Sequence, residues 1–426
     1  MLRVLLLLLA LLLPAPMFAQ NPPPPPQKQV SQYTLSPERY EKAVNYAKSR
    51  YRLYFVGAAY GLVACLLIIA LRWSAQFRDI AERLSSRRFV QALIFAPLLV
   101  VTLGVLQLPL DLYGQSLALH YEQSVQGWGS WFWDWTKGQL IAVVLSVFLA
   151  WILYGVIRRS PARWWFYFWL ASLPIIVFLI FIAPLIIEPL FFKFVPLDST
   201  NPALVTEIEK VVQRGGMTIP RDRMFEMKAS EKLKSVNAYV TGFGASKRVV
   251  VWDTTIVKMT APQTLFVFGH EMGHYVLKHI PKTIAFIALI LLIFLFLGSV
   301  FLKRILARWG ARWQIRGADD WASLPVLMLL FGILSFIATP VFSTYSRFQE
   351  HQADIYGLEV IHGIVPDSPQ VASQAFQILG DINLSDPNPG PFIKIWLYDH
   401  PPIPDRVVFA QQYDPWSSGK APEFVK

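Results

Sequence analysis

The chain has 426 residues, of which 54% are hydrophobic and only 16% charged, with a mean hydropathy of +0.41. A soluble domain carries about 25% charged residues, so a single soluble globule is excluded and a polytopic membrane protein is expected. The net charge of +11 comes largely from arginines clustered between apolar runs. Membrane topology accounts for such clusters, and no nucleic-acid partner is expected.

Residues 1–19 read as a signal peptide, with Arg3, an apolar core from Val4 to Leu13, and Ala19 as the cleavage point. Residues 20–52 follow as a proline-rich linker and N-terminal segment, with Pro22 to Pro26 in a row. Four transmembrane helices are expected within 53–187, at about 53–71, 89–110, 138–157 and 164–187. The only cysteine, Cys65, falls in the first of them, which excludes an intrachain disulfide and a cysteine-based metal site. Two more helices fall within 283–345, at about 283–302 and 322–345.

Basic clusters follow the first run (Arg72, Arg78, Arg83, Arg87, Arg88), the third (Arg158, Arg159, Arg163) and the fifth (Lys303, Arg304, Arg308, Arg312, Arg316). The 111–137 loop is acidic by contrast, and its Trp128, Trp131, Trp133 and Trp135 suit a membrane interface. The positive-inside rule puts the basic loops in the cytoplasm, so residues 188–282 and 346–426 share the outer face. A bacterial inner membrane with its chemistry facing outward is expected.

Within 188–282, Leu204, Val205, Ile208, Val211 and Val212 fall at helical spacing, and Gly215-Gly216 stops that helix. Met224 to Ser230 predicts a strand. Asn237 to Gly244 and Arg248 to Asp253 predict a hairpin turning at Gly244-Ala245-Ser246-Lys247. Thr260 opens the next helix as its N-cap, with Gln263 three residues on and Pro262 in the first turn.

That helix carries His270-Glu271-Met272-Gly273-His274. Side chains four apart stack on one helix face, so two imidazoles grip one zinc ion while Glu271 reaches the water beside it. A third ligand must come from elsewhere. His279 is near in sequence, but five residues on along a continuing helix it faces away, and it ligates only if the helix breaks first. The better source is the block Arg347-Phe348-Gln349-Glu350-His351-Gln352-Ala353-Asp354, because two spans intervene and the chain returns to the same side; a carboxylate from it with the two histidines makes a His2Glu site. The expected fold is mainly α: a polytopic helix bundle with a small α+β zinc metalloprotease domain of gluzincin-like, His-His-Glu type.

From about 89 to 406 the chain resembles the CAAX prenyl endopeptidases, integral-membrane zinc metalloproteases of family M48. The motifs are Leu108-Pro109-Leu110-Asp111-Leu112-Tyr113, Ala183-Pro184-Leu185, Phe192-Lys193-Phe194 and Asn237-Ala238-Tyr239, then the HExxH, Glu350-x-Gln352-Ala353-Asp354, and His400-Pro401-Pro402 with Arg406. The resemblance implies one Zn2+ on His270, His274 and Glu350, Glu271 as general base, and His400 at the site as a second oxyanion donor. Asp354, one turn past Glu350, would orient a ligand histidine or donate a proton. Asn237, Ala238 and Tyr239 would form an edge strand for an extended peptide, with Arg406 also meeting substrate. The expected partners are a peptide or protein substrate, membrane-associated or lipidated, and the lipid bilayer. An HtpX-like quality-control protease is the alternative. A transporter or metal sensor fits less well, because the six runs are nearly free of charge.

Overall fold

The computed structural model describes residues 33–242 and 247–425. The expected signal peptide, the polyproline stretch and the hairpin turn at Gly244 to Ser246 lie outside the described residues.

The N-terminal half holds α1 (Pro37–Ala70), α2 (Trp73–Leu84), α3 (Arg88–His120), α4 (Trp128–Arg159), α5 (Trp164–Phe181) and α6 (Ala183–Phe191). Helix α1 starts at Pro37, inside the stretch read as linker and N-terminal segment, and runs on into the first expected span. Ser36 caps it by accepting the Arg39 N–H at 3.3 Å, and Ala43, Tyr46 and Ala47 supply a buried face. The run at 164–187, expected as one span, breaks at Ile182 into α5 and α6. Pro184 has no N–H to continue the α5 ladder.

Beyond α6 the chain forms a small mixed sheet: β1 (Phe194–Pro196), then α7 (Pro202–Arg214), β2 (Met224–Met227), β3 (Ala238–Thr241) and β4 (Arg248–Trp252). The strand order is β1-β2-β4-β3, with β2 and β4 parallel and the other pairs antiparallel. The helix predicted from Leu204 to Val212 spans Pro202–Arg214 and ends as expected, with Gly216 at φ +68° in the left-handed region that glycine tolerates. The strand expected over Met224 to Ser230 stops at Met227, because Ala229–Glu231 forms a 3-10 turn.

There follow α8 (Asp253–Lys258), α9 (Ala261–Val276), α10 (His279–Trp309), α11 (Leu324–Ile361), α12 (Ser368–Ile382), α13 (Pro391–Leu397) and α14 (Ile403–Gln412). Helices α1, α3, α4, α5, α10 and the segment Trp321–Ile361 are long and apolar enough to cross a membrane, six among the described residues.

Two cores result. One end of the bundle packs Phe95, Tyr154, Trp164 and Trp321. The basic loops meet there: Arg72 donates to the Arg312 carbonyl, Arg78 pairs with Asp320, Arg316 pairs with Glu82, and Arg158 lies over Trp321. At the other end a single core joins Val205, Ile208, Phe266, Phe268 and Met272 to Tyr356, Leu358, Phe376 and Val407. The two polar segments, far apart in sequence, therefore fold as one domain.

Candidate active site

Helix α9 is fixed at its start by a capping box, in which Gln263 Oε1 accepts the Thr260 N–H at 2.9 Å. Helix α11 has 38 residues, which at 1.5 Å per residue is about 57 Å against a hydrocarbon core of about 30 Å. Its last turns therefore leave the membrane zone and run along α9. Gly269 and Gly357 allow that approach. A Cβ on Gly357 would stand 3.0 Å from the His270 nitrogen, and one on Gly269 would stand 2.8 Å from Val360 Cγ1.

The crossing brings the three expected ligands together. The Nε2 atoms of His270 and His274 are 3.2 Å apart. Glu350 lies 3.1 Å from the first and 3.5 Å from the second. One donor atom from each residue falls within 4.8 Å of the others. Glu350 Oε2 is buried, with His270 Nε2 at 3.1 Å and His400 Nε2 at 3.2 Å but a well-formed hydrogen bond to neither. Burial alone would push the His270 imidazole down, but Asp354 and Glu350 outweigh it and hold the ring up to about 10. A carboxylate oxygen without a well-formed hydrogen bond, two convergent imidazoles and a field that favours positive charge fit a divalent cation.

Behind His270, Asp354 Oδ1 lies 2.8 Å from Nδ1, and Asp354 is fully buried. Arg406 Nε donates to Asp354 Oδ2 at 2.9 Å and Nη2 donates to Oδ1. A carboxylate chelated in this way is poorly placed to give up a proton, and of the two roles expected for Asp354 its contacts favour the orienting one. Arg406 lines the cavity beside the centre, and its guanidinium is also engaged from behind the site. It is buried against Asp354 and stacks on Phe376, because a buried carboxylate needs a counter-charge.

The centre opens into a cavity of about 630 Å³ lined by His270, Glu271, Asn237, Arg50, Tyr398 and His400, among others. Burial pushes the Glu271 carboxyl up, against the pull of the two histidines. His400 is half-exposed, with Nε2 3.2 Å from Glu350 Oε2 and Nδ1 2.9 Å from Asp399 Oδ1.

Strand β3 is the sheet edge. Trp252 N–H donates to the Asn237 carbonyl at 3.1 Å, so by alternation Ala238 and Val240 turn their main-chain groups to the open side. The Ala238 N–H is held at 2.8 Å by Asn237 Oδ1. The Tyr239 side chain does not join the cavity lining. Its hydroxyl donates to Glu188 at 2.7 Å, and burial and that carboxylate push the phenol up.

The helix does break after the motif, at Lys278 with φ +58°. Even so, His279 is not among the grouped ligands, and it contacts the far side of His274. Sequence reasoning missed Asp399 and the α1 residues Tyr46, Arg50, Tyr51 and Tyr54, which line the cavity. The helical spacing of tyrosines and alanines over 40–54 was the signal for α1; nothing local marks Asp399.

Residues 198–414 match the model of peptidase family M48, and residues 17–193 match the model of the CAAX prenyl protease N-terminal region with five membrane helices. The uncharacterized metalloprotease YhfN of Bacillus subtilis is 34% identical over 378 residues, covering 89% of this chain and 87% of that protein. CAAX prenyl protease 1 of Saccharomyces cerevisiae is 25% identical over 402 residues, covering 88% and 86%. The crystal structure of S. mikatae Ste24p shares the fold, with a TM-score of 0.75 at 23% identity over 89% of this chain and 90% of that one. Matched along both halves, the chain belongs to peptidase family M48 and is an integral-membrane metalloendopeptidase of the CAAX prenyl protease type.

Proposed function

We propose that this chain hydrolyses internal peptide bonds of membrane-associated proteins, using one zinc ion held by His270, His274 and Glu350. The observation that carries the reading is the convergence of these three side chains beside Glu271 at the wall of a cavity. Zinc bound there would polarise the scissile carbonyl and acidify the attacking water. Glu271 takes the proton from that water and hands it to the leaving amine. Its burial raises its proton affinity, which suits a group that must first accept and then donate. His400, braced at Nδ1 by Asp399, presents Nε2 to the developing oxyanion. Asp354 holds His270 with Nε2 facing the centre.

The substrate adds to β3 as an extended strand, bonding the main chain of Ala238 and Val240. The Ala238 N–H must first leave Asn237 Oδ1, so Asn237 guards the register of the incoming peptide. Glu271→Gln should lower kcat by at least about 10³-fold while zinc content stays at one per chain. Turnover close to that of the unaltered protein would remove Glu271 as the base.

The packing of the three basic loops at the end remote from the site supports an outward active face in a bacterial inner membrane. The relatives are named CAAX prenyl proteases. An outward site would instead meet exported or membrane-inserted peptides. A C-terminal alkaline phosphatase fusion should be active in cells, and a fluorescent green fluorescent protein fusion in its place would reverse the orientation.

A further inference from the structure

The two histidines of the motif are held from behind by different chemistry. His270 Nδ1 faces a carboxylate, Asp354, at 2.8 Å. His274 Nδ1 faces another imidazole: His279 Nδ1 lies 3.1 Å away, and His279 Nε2 lies 3.2 Å from Gln352 Oε1. His279 is almost fully buried, with 2% of its surface exposed, so water does not substitute for these partners.

From this chain we infer that His279 is a positioning residue: it is the neutral acceptor that fixes the tautomer of His274. The inference rests on the metal reading above.

The polarity follows from proton counting. With Gln352 Oε1 accepting, His279 carries its proton on Nε2 and has a lone pair on Nδ1. That lone pair accepts the His274 Nδ1–H, and His274 Nε2 is left bare toward His270 and Glu350. The reversed chain would have His279 donate to His274. A proton would then stand on His274 Nε2, aimed at His270 Nε2 only 3.2 Å away, and one of the three donors would be lost. Only the first polarity leaves three donor lone pairs converging.

The backbone is built for this contact. On a continuing α-helix, position 279 would turn away from His274. Lys278 in the left-handed region restarts the helix at His279 and swings the imidazole back. Thr283 then donates to Gln349 Oε1 at 2.9 Å, tying the first turn of α10 to α11, the helix that also carries Gln352. The membrane helices on either side of the loop thus set the angle of one ligand.

The test is zinc retention, measured by competition with a chromophoric chelator, together with the visible spectrum of the cobalt-loaded protein. His279→Phe keeps the bulk and removes the acceptor. It should weaken zinc retention about 10–100-fold and change the cobalt spectrum, with the melting temperature of the metal-free protein unchanged. His279→Gln, whose side-chain carbonyl can accept from His274, should recover most of that loss. Zinc held as tightly by His279→Phe as by the unaltered chain would overturn the inference, and so would a Gln variant no better than Phe. If His279→Phe fails to fold, Gln352→Leu removes only the outer acceptor. Several-fold weaker retention there supports the tautomer chain, and unchanged retention overturns it. If the unaltered protein binds neither zinc nor cobalt, the metal reading itself fails and takes this inference with it.

Discussion

Two buried arginine–aspartate pairs sit at opposite ends of the membrane helices. At the basic end, Arg78 holds Asp320, and Asp320 also accepts the N–H groups of Arg316 at 2.8 Å and Ala322 at 3.0 Å. Every partner of that carboxylate belongs to the scaffold, and the cluster pins the α10–α11 loop against α2. At the other end Arg406 holds Asp354, and Asp354 shares an oxygen with His270 Nδ1. The ion pair is alike in both places, and the third partner decides what it does. A buried salt bridge alone is weak evidence of function; one whose carboxylate also backs a ligand imidazole is much stronger evidence.

Breaking the arginine side should show what the pairs have in common. Arg78→Met and Arg406→Met each leave a buried carboxylate without its counter-charge and should each cost about 3–5 kcal/mol of stability, read from denaturant unfolding in detergent. A loss below about 1 kcal/mol at either site would mean that water reaches the carboxylate. The aspartate side should separate them. Asp354→Asn should lower zinc retention and kcat/KM about 10–100-fold, whereas Asp320→Asn should leave both unchanged per folded molecule. Equal effects of the two substitutions would erase the distinction. The smallest effect is expected at Thr260, which touches neither pair: Thr260→Ala removes the α9 cap and should cost about 1 kcal/mol with zinc retention intact.

Some of the site could be read from local pattern, and some could not. His270, His274 and Glu271 were legible because helical periodicity puts them on neighbouring faces. The 347–354 block was legible because an even number of spans returns the chain to the same side, and the family resemblance singled out Glu350 within it. Asp399 was invisible, since a carboxylate beside a histidine means nothing until the loop is folded onto Glu350. The contact of Arg406 with Asp354 was invisible for a similar reason. Its motif neighbours pointed to the site, but only packing shows that its guanidinium is already bound by Asp354. The N-terminal part of α1 was legible only as an N-terminal segment, because its charged residues mask a helical spacing of buried alanine and tyrosine.

Composition and spacing alone determined that this chain carries six membrane-spanning runs and a pair of histidines on one helix face at metal-ligand spacing. These are one-dimensional properties: apolar length sets spanning, and a four-residue interval sets which side chains stack. Tertiary structure alone decided which groups stand behind those histidines, because that depends on two glycines letting α9 meet α11 and on one left-handed residue restarting the chain at His279. Such contacts join residues dozens of positions apart, and no local pattern encodes the distance between them.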